Sequence, residues 1–251
     1  MSNQMDKWHE DEKALAVERR LMNEALAQLG QAELKYSARR SAARLIFGLD
    51  LTGSREPSLR QARIATAAMF DTIKAFSAVA VKLIYYRGTD ECRESRWYDD
   101  PEILSQSMRK LSCERGGTQI GRLLQRAVDE KEATSGVVFV GDHCEDDPDE
   151  LFELAQALRR RSTPLFVFHE CADHDEWSLK AKPVFKRLAE LSGGVYVEFK
   201  PDSGVVLKEL LSGVAIFSAA GAEGIERMAL PTTPEARQLR GHLCLGSGSK
   251  R

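Results

Sequence analysis

The sequence lacks the features that mark several large classes of protein. No uninterrupted apolar run reaches the ~18 residues of a membrane-spanning helix, and the charged N-terminus has no apolar stretch typical of a signal peptide. Lysine and arginine (36 residues) nearly balance aspartate and glutamate (38), for a formal net charge of -2. A nucleic-acid partner is therefore not expected. The missing signals favour a cytoplasmic location without a membrane partner.

Cysteine is scarce, and no pairing pattern is visible. The five cysteines are an odd number, and no two of them form a CxxC pair. They are Cys92, Cys113, Cys144, Cys171 and Cys244. We therefore expect mostly reduced thiols rather than a disulfide framework. A chain of 251 residues has room for one large domain, or for one domain with attachments.

Common catalytic motifs are also missing. The chain has no phosphate-binding GxxxxGK[ST] loop after a strand and no GxSxG nucleophile motif. A magnesium-dependent hydrolase remains an alternative, because Asp50 ends the first predicted strand as in haloacid dehalogenase-like phosphatases. Those enzymes need a second aspartate two residues later as general acid, and Thr52 stands there. We therefore expect no enzyme.

What the sequence does contain is a regular alternation of apolar runs and helical patterns. The predicted strands are Ala43–Leu49, Ala78–Tyr86, Arg93–Tyr98, Gly136–Gly141, Pro164–His169 and Gly194–Phe199. The predicted helices cover residues 57–77, 102–113, 118–132, 148–161, 181–192 and 204–219. This order predicts a doubly wound α/β fold with a mostly parallel six-stranded sheet and helices on both faces. The third strand follows the second so closely that it should pair antiparallel at an edge.

Two segments flank this α/β domain, which we place at residues 41–220. Residues 1–40 show a helical apolar period and predict an N-terminal helical extension that docks on the domain, binds a partner or forms a dimer seam. The oligomeric state therefore stays open. Residues 221–251 contain Pro231, Pro234 and a Gly/Ser-rich end, which predict an irregular, flexible tail.

Oxygen-bearing side chains follow the predicted strand ends. Asp50 closes the first strand, with Thr52 and Ser54 at alternate positions after it, and Asp142 follows the apolar run VVFVG. Thr118 lies in the GGT turn that opens a helix. Since ligands of doubly wound sheets bind beyond the carboxyl ends of the strands, these residues should meet at one rim. Two carboxylates and three hydroxyls suit Mg²⁺ or another hard divalent cation.

The stretch DLTGS resembles the DxSxS motif of the von Willebrand factor A-type (VWA) domain, with threonine at the first hydroxyl position. Thr118 and Asp142 match the family's remaining metal positions in order, and the resemblance covers roughly residues 43–220. It implies a metal ion-dependent adhesion site that holds Mg²⁺, or Mn²⁺ or Ca²⁺. It also implies a metal-dependent protein–protein interaction, in which an acidic residue of a protein partner completes the coordination shell.

A structural alternative must be weighed against this site. Thr52 and Ser54 could form hydroxyl turns and cap a following helix, and Asp142 could begin a solvated acidic loop. Two carboxylates at one rim would repel each other and raise one pKa. A bound cation would relieve that repulsion, which favours the metal interpretation.

A zinc site is a second alternative. Nitrogen and sulfur ligands cluster after two predicted strand ends, at His143, Cys144, His169, Cys171 and His174. Their spacing matches no standard zinc motif. Cys144 could also be a reactive thiol, although no partner base can be assigned to it.

Overall fold

A computed structural model describes residues 43–56, 58–59, 79–172, 175–201 and 203–245. At residues 101, 102 and 105 it describes the backbone alone. The predicted helical extension over residues 1–40 lies outside the described residues, as does the predicted helix at 57–77 apart from residues 58–59.

The described residues form a six-stranded sheet. The strands are β1 (Ala43–Asp50), β2 (Val79–Arg87), β3 (Glu91–Tyr98), β4 (Gly136–Gly141), β5 (Leu165–Glu170) and β6 (Tyr196–Phe199). Their order is β3-β2-β1-β4-β5-β6. All neighbours are parallel except β3, which pairs antiparallel with β2 at the edge. The predicted mostly parallel sheet with one antiparallel edge strand is confirmed.

The described α-helices flank the sheet, and caps from the local sequence fix some of their ends. The helices are α1 (Pro101–Arg109), α2 (Ile120–Val128), α3 (Pro148–Arg160), α4 (Glu176–Ser192), α5 (Gly204–Arg227) and α6 (Pro234–Leu245). Asp147 caps α3 by accepting the N–H of Asp149 at 2.8 Å, and Pro148 occupies the first helical position. Gly193 ends α4 in the left-handed conformation (φ 77°) that glycine adopts without steric cost.

Side-chain alternation along β1 divides the core into two layers. Leu45, Phe47 and Leu49 belong to the layer that also contains α5 and α6. Ile46 belongs to the opposite layer, with apolar residues of α2, α3 and α4. Gly48 lets α2 approach closely, since a Cβ there would lie 3.0 Å from a methyl carbon of Leu123. Each fully buried aliphatic or aromatic side chain contributes roughly 1.5–3 kcal/mol, and this burial holds helices on both faces of the sheet.

One described helix, α5, is long and apolar enough to cross a membrane by length and composition, with a mean hydropathy of 1.6 over its most apolar window. Leu207, Leu210, Leu211 and Val214 on this helix are buried in the core layer that covers β1. Packing against the sheet accounts for part of its apolar character, since 44% of that window is buried.

The predicted irregular tail from residue 221 is wrong as far as Leu245. Gly221 has a non-helical conformation (φ 67°, ψ −158°) that kinks α5, but the helix continues to Arg227, and α6 follows. Pro234 begins α6 instead of ending a helix, because proline fits the first helical position. Packing of one α6 face against the core then outweighs the local turn signals. The buried residues of this face are Ala236, Leu239 and Leu243.

The strand order also places a crevice at one end of the sheet. The chain runs from β1 to β2 on one side, and it later returns to β4 on the other side of β1. The loops that follow β1 and β4 therefore separate at their carboxyl ends, which is the topological switch point where doubly wound sheets bind ligands.

Candidate metal centre

A cleft of about 320 Å³ opens at this switch point. It is lined by Thr52, Gly53, Ser54, Arg115, Gly116, Thr118, His143 and Glu145. The three hydroxyl residues predicted as metal ligands are thus brought to one cleft. The two predicted carboxylates, Asp50 and Asp142, are 1% and 7% exposed and lie at the ends of the strands whose loops form it.

The loop after β1 holds its carboxylate and hydroxyls in a fixed arrangement. Asp50 accepts the backbone N–H of Thr52 at one carboxylate oxygen and the hydroxyl of Tyr86 at the other, each at 2.8 Å. The hydroxyl oxygens of Thr52 and Ser54 lie 3.2 Å apart. The Thr52 side chain does not cap the short 3₁₀ turn that follows it at Gly53–Arg55. The capping alternative concerned a helix beginning near residue 57, most of which lies outside the described residues, and it stays untested.

Two glycines before Thr118 allow its loop to pack against its neighbours. A Cβ at Gly116 would lie 1.8 Å from the carbonyl oxygen of Gly88, in the turn between β2 and β3. A Cβ at Gly117 would lie 2.8 Å from Oε2 of Glu145. Gly116 needs glycine because backbone atoms occupy the space of a side chain, whereas at Gly117 the flexible end of Glu145 could shift. The GGT sequence thereby brings Thr118 to the cleft.

The Thr118 hydroxyl retains one free acceptor position. It donates to Oδ2 of Asp146 at 2.6 Å and accepts the backbone N–H of Glu145 at 2.7 Å. A hydroxyl has one hydrogen and two lone pairs, so one lone pair remains for a cation. Asp146 also accepts the N–H groups of Ile120 and Gly121, and so caps α2 from another loop.

Asp142 carries an unsatisfied carboxylate oxygen. Its Oδ1 is buried and has no hydrogen-bond partner among the described residues. Gly141, which precedes it, leaves room for the Phe139 ring, since a Cβ there would lie 2.6 Å from Cζ of Phe139. Leaving a buried carboxylate oxygen unpaired is costly. A cation would satisfy it, so this residue fits the metal set.

Burial and like charge act together on Asp50. Burial raises the pKa of Asp50 from 3.8 to about 6, and the charge of Asp142 raises it further than burial alone would. Hydrogen bonds from Thr52 and the charge of Arg55 oppose this rise without cancelling it. The two predicted carboxylates therefore interact electrostatically, as the sequence led us to expect, and a divalent cation is the group that would relieve both effects.

A buried arginine offsets part of the negative charge. Arg55 is 2% exposed, and its Nη1 lies 2.5 Å from Oε2 of Glu170 at the end of β5. The Ser58 hydroxyl donates to the other oxygen of Glu170. With Asp50 and Asp142 ionised, this group contains three carboxylates and one guanidinium, so an excess of negative charge remains.

The zinc alternative has no support among the described residues. His169 is buried, with Nδ1 2.7 Å from the Tyr196 hydroxyl and Nε2 3.0 Å from the Asp142 carbonyl oxygen. His143 Nε2 lies 2.7 Å from a carboxylate oxygen of Asp175. In the described part of the chain, no three His, Cys, Asp or Glu side chains gather as they would around a metal ion. Of the proposed ligands, His174 lies outside the described residues.

The reactive-thiol alternative is also disfavoured. Burial, followed by the charge of Asp146, raises the pKa of Cys144 to about 12. The thiolate is the nucleophilic form of cysteine, and a raised pKa keeps it rare at neutral pH.

Several residues that shape the site were not singled out from the sequence. Tyr86 pairs with Asp50 in the β1–β2 register, and the only available signal was its position at a predicted strand end. Arg55 directly follows the DLTGS stretch, where an arginine ordinarily indicates exposure. Asp146 lies in the acidic loop that follows Asp142, and three hydrogen bonds connect it to Thr118 and α2.

Comparison with known proteins identifies the fold. No protein-family model and no curated protein sequence matches the chain. BatB from Bacteroides thetaiotaomicron superposes with a TM-score of 0.54 at 15% identity, over 68% of this chain and 96% of that one. A von Willebrand factor type A protein from Catenulispora acidiphila gives 0.57 at 15% identity, over 71% and 43%. The pilus adhesin SpaC from Lactobacillus rhamnosus GG gives 0.59 at 10% identity, over 72% and 30%.

These resemblances, together with the sheet order and the switch-point cleft, define the chain as having a VWA-type fold. At 10–15% identity they establish the fold alone. They do not establish what the cleft binds.

Proposed function

We propose that this domain binds a protein partner through a divalent cation. The ligand set is Asp50, Thr52, Ser54, Thr118 and Asp142, and the partner supplies an acidic side chain. Mg²⁺ is the expected ion, with Mn²⁺ or Ca²⁺ able to use the same oxygen ligands.

The observation that carries the proposal is the unsatisfied, buried Oδ1 of Asp142 at the switch-point cleft. It lies in a protein whose other site carboxylate, Asp50, has a pKa raised to about 6 by burial and by Asp142. Both features cost folding free energy. A cation-binding role gives a reason for retaining them.

The hydroxyl and carboxylate residues of the proposed ligand set would have different roles in holding the ion. Thr52, Ser54 and Thr118 would present hydroxyl oxygens from the cleft wall. Asp50 and Asp142 would balance the charge, either directly or through water. A bound cation would supply an electrophilic position for an outside carboxylate. Since hydroxyls leave its charge incompletely neutralised, that position would attract an acidic group.

The fold supports a protein partner. The structural neighbours include SpaC, whose name describes a pilus adhesin. VWA-type folds such as these are often adhesion or interaction domains, and this is consistent with a protein-interaction role for the chain.

Calorimetric titration of the full chain with Mn²⁺ tests the cation site. We expect one bound ion for the wild type and at least a roughly tenfold weaker Kd for Asp142→Asn, which corresponds to about 1.4 kcal/mol. Asp149→Asn is the matched control, because Asp149 is exposed at the start of α3 and the change in net charge is the same. Absence of Mn²⁺ binding by the wild type would overturn the proposal.

A second assay separates recognition from catalysis. The wild type and Asp50→Ala are assayed for hydrolysis of p-nitrophenyl phosphate in the presence of Mg²⁺. Hydrolysis by the wild type that is lost in Asp50→Ala would favour the hydrolase alternative. The proposal predicts no such turnover by the wild type.

A further inference from the structure

Arg115 is the one arginine or lysine among the described residues that line the cleft. Its side chain is exposed, and no hydrogen bond or ion pair joins it to the described part of the chain. A positively charged side chain therefore lines the candidate metal centre with no partner among the described residues.

The stem of Arg115 lies close to a glycine of the metal loop. A Cβ at Gly53 would lie 3.2 Å from Cγ and 3.6 Å from Cα of Arg115. The missing side chain at position 53 thus allows the arginine to pack directly against the loop that carries Thr52 and Ser54. The stem lies against this loop, while the guanidinium group stays available.

The acidic neighbours of Arg115 have other partners. Oε2 of Glu145, on the same cleft, accepts the backbone N–H of Thr118 at 2.9 Å. Glu114, the preceding residue, lies 3.7 Å from Nε of Arg87. The other basic group of the cleft, His143, is paired with Asp175. The acidic groups nearest in the cleft and in the chain therefore do not neutralise Arg115.

A guanidinium at the mouth of a cation site weakens metal binding through Coulomb repulsion. Arg115 is therefore unsuited to holding the ion, and its charge suits the anion that approaches the ion. Arginine presents a planar fork of N–H donors that matches a carboxylate better than the point charge of lysine does.

We propose that Arg115 is a specificity-determining residue that donates hydrogen bonds to the partner's carboxylate while that carboxylate occupies the cation. This inference rests on the proposed function. It adds that acidic ligands are selected by a pair of positive groups, the ion and Arg115.

The test uses the full chain loaded with Mn²⁺ and the peptide acetyl-Gly-Glu-Gly-amide as the probe. Displacement of metal-bound water by the peptide lowers the water-proton relaxation enhancement, which gives the peptide Kd. We expect Arg115→Gln to raise this Kd roughly tenfold, the loss of a charged hydrogen bond. Arg115→Lys should give a smaller increase. Arg187→Gln, on α4 and paired with Glu190, removes the same charge and should have no effect.

The Mn²⁺ Kd of Arg115→Gln is a second readout, and it should not rise together with the peptide Kd. Removing a nearby positive charge should leave the Mn²⁺ Kd of Arg115→Gln unchanged or slightly lower. Weaker binding of both Mn²⁺ and peptide would mean a damaged site and would overturn the inference. Equal peptide affinity of Arg115→Gln and Arg187→Gln would also overturn it, with the cation site left intact. A wild type that binds no Mn²⁺ would overturn the proposed function and this inference with it.

Discussion

The pKa of a carboxylate is shifted in opposite directions at the cleft and at the junction between α5 and α6. At the cleft, burial and then Asp142 raise the pKa of Asp50 to about 6. At the junction, partial burial alone would raise the pKa of Glu209. Hydrogen bonds from the hydroxyl and backbone groups of Thr233 and Thr232 outweigh this effect and lower it to about 2.

The two regions differ in how many hydrogen-bond donors their carboxylate oxygens have. Glu209 has four hydrogen-bond donors at 2.6–3.0 Å, and it holds the segment that begins α6 against α5. Asp142 has a buried oxygen with no partner among the described residues, and Asp50 lies beside it. The junction is complete as a folded structure. The cleft leaves this carboxylate oxygen unpaired among the described residues, and the proposed cation would pair with it.

The largest expected effect comes from adding a side chain at Gly116, where the loop that carries Thr118 packs against the β2–β3 turn. Gly116→Ala places a Cβ against the carbonyl of Gly88, which cannot move without shifting the β2–β3 turn. We expect a loss of about 2–4 kcal/mol in the free energy of unfolding and loss of Mn²⁺ binding. Urea unfolding and calorimetry measure the two.

The control for this substitution is Gly241→Ala in α6, where a Cβ meets nothing within 4 Å. It should stabilise the protein slightly, because alanine favours a helix over glycine. Equal stability losses in the two variants would show that the close approach at Gly116 is unimportant.

A moderate effect is expected from removing one hydroxyl of the cleft. Thr118→Val keeps the shape but loses the hydrogen bonds to Asp146 and Glu145, at a cost of about 1–2 kcal/mol. It should also weaken Mn²⁺ binding. Thr118→Ser retains the hydroxyl and should preserve both properties. A valine variant with wild-type Mn²⁺ affinity would remove Thr118 from the ligand set.

The smallest effect concerns the junction, where no cation is involved. Glu209→Gln should cost about 1 kcal/mol near neutral pH, since Glu209 is only half-buried and its charged hydrogen bonds are partly screened. The folded pKa of about 2 lies below the ordinary value of 4.5. The advantage of glutamate is therefore present above pH 4.5 and lost as the pH falls towards about 2.

Urea unfolding of wild type and Glu209→Gln across this pH range checks the prediction. The difference between the two proteins should shrink with acidification. A constant difference would show that the charge of Glu209 contributes nothing to this junction. Mn²⁺ binding should be the same in both proteins.

The fold could be predicted from the sequence because the strands other than β3 are short apolar runs that alternate with helical patterns. The antiparallel edge strand was predicted from its short connection to the second strand. The helix α6 was missed because its stability comes from packing of Leu239 and Leu243 on the core. Tertiary contacts of that kind leave little trace in local turn signals.

The candidate site was predicted only in part. Thr52, Ser54 and Thr118 were placed at one rim because strand ends converge, and the structure brings them to one cleft. The contributions of Tyr86 and Arg55 depend on strand register and long-range pairing, which no local pattern specifies. Metal binding by these residues stays a prediction.

The measurement that tests the account most directly compares wild type and Asp50→Asn by urea unfolding, with and without saturating Mg²⁺. The folded pKa of Asp50 is raised, so the stability present below pH 3.8 is lost as the pH rises through about 6. At about pH 8 without Mg²⁺, asparagine should therefore be more stable by roughly 1–3 kcal/mol. Saturating Mg²⁺ should stabilise the wild type alone and narrow or reverse this difference. A wild type that gains nothing from Mg²⁺, or an Asp50→Asn variant that is less stable without it, would contradict the account.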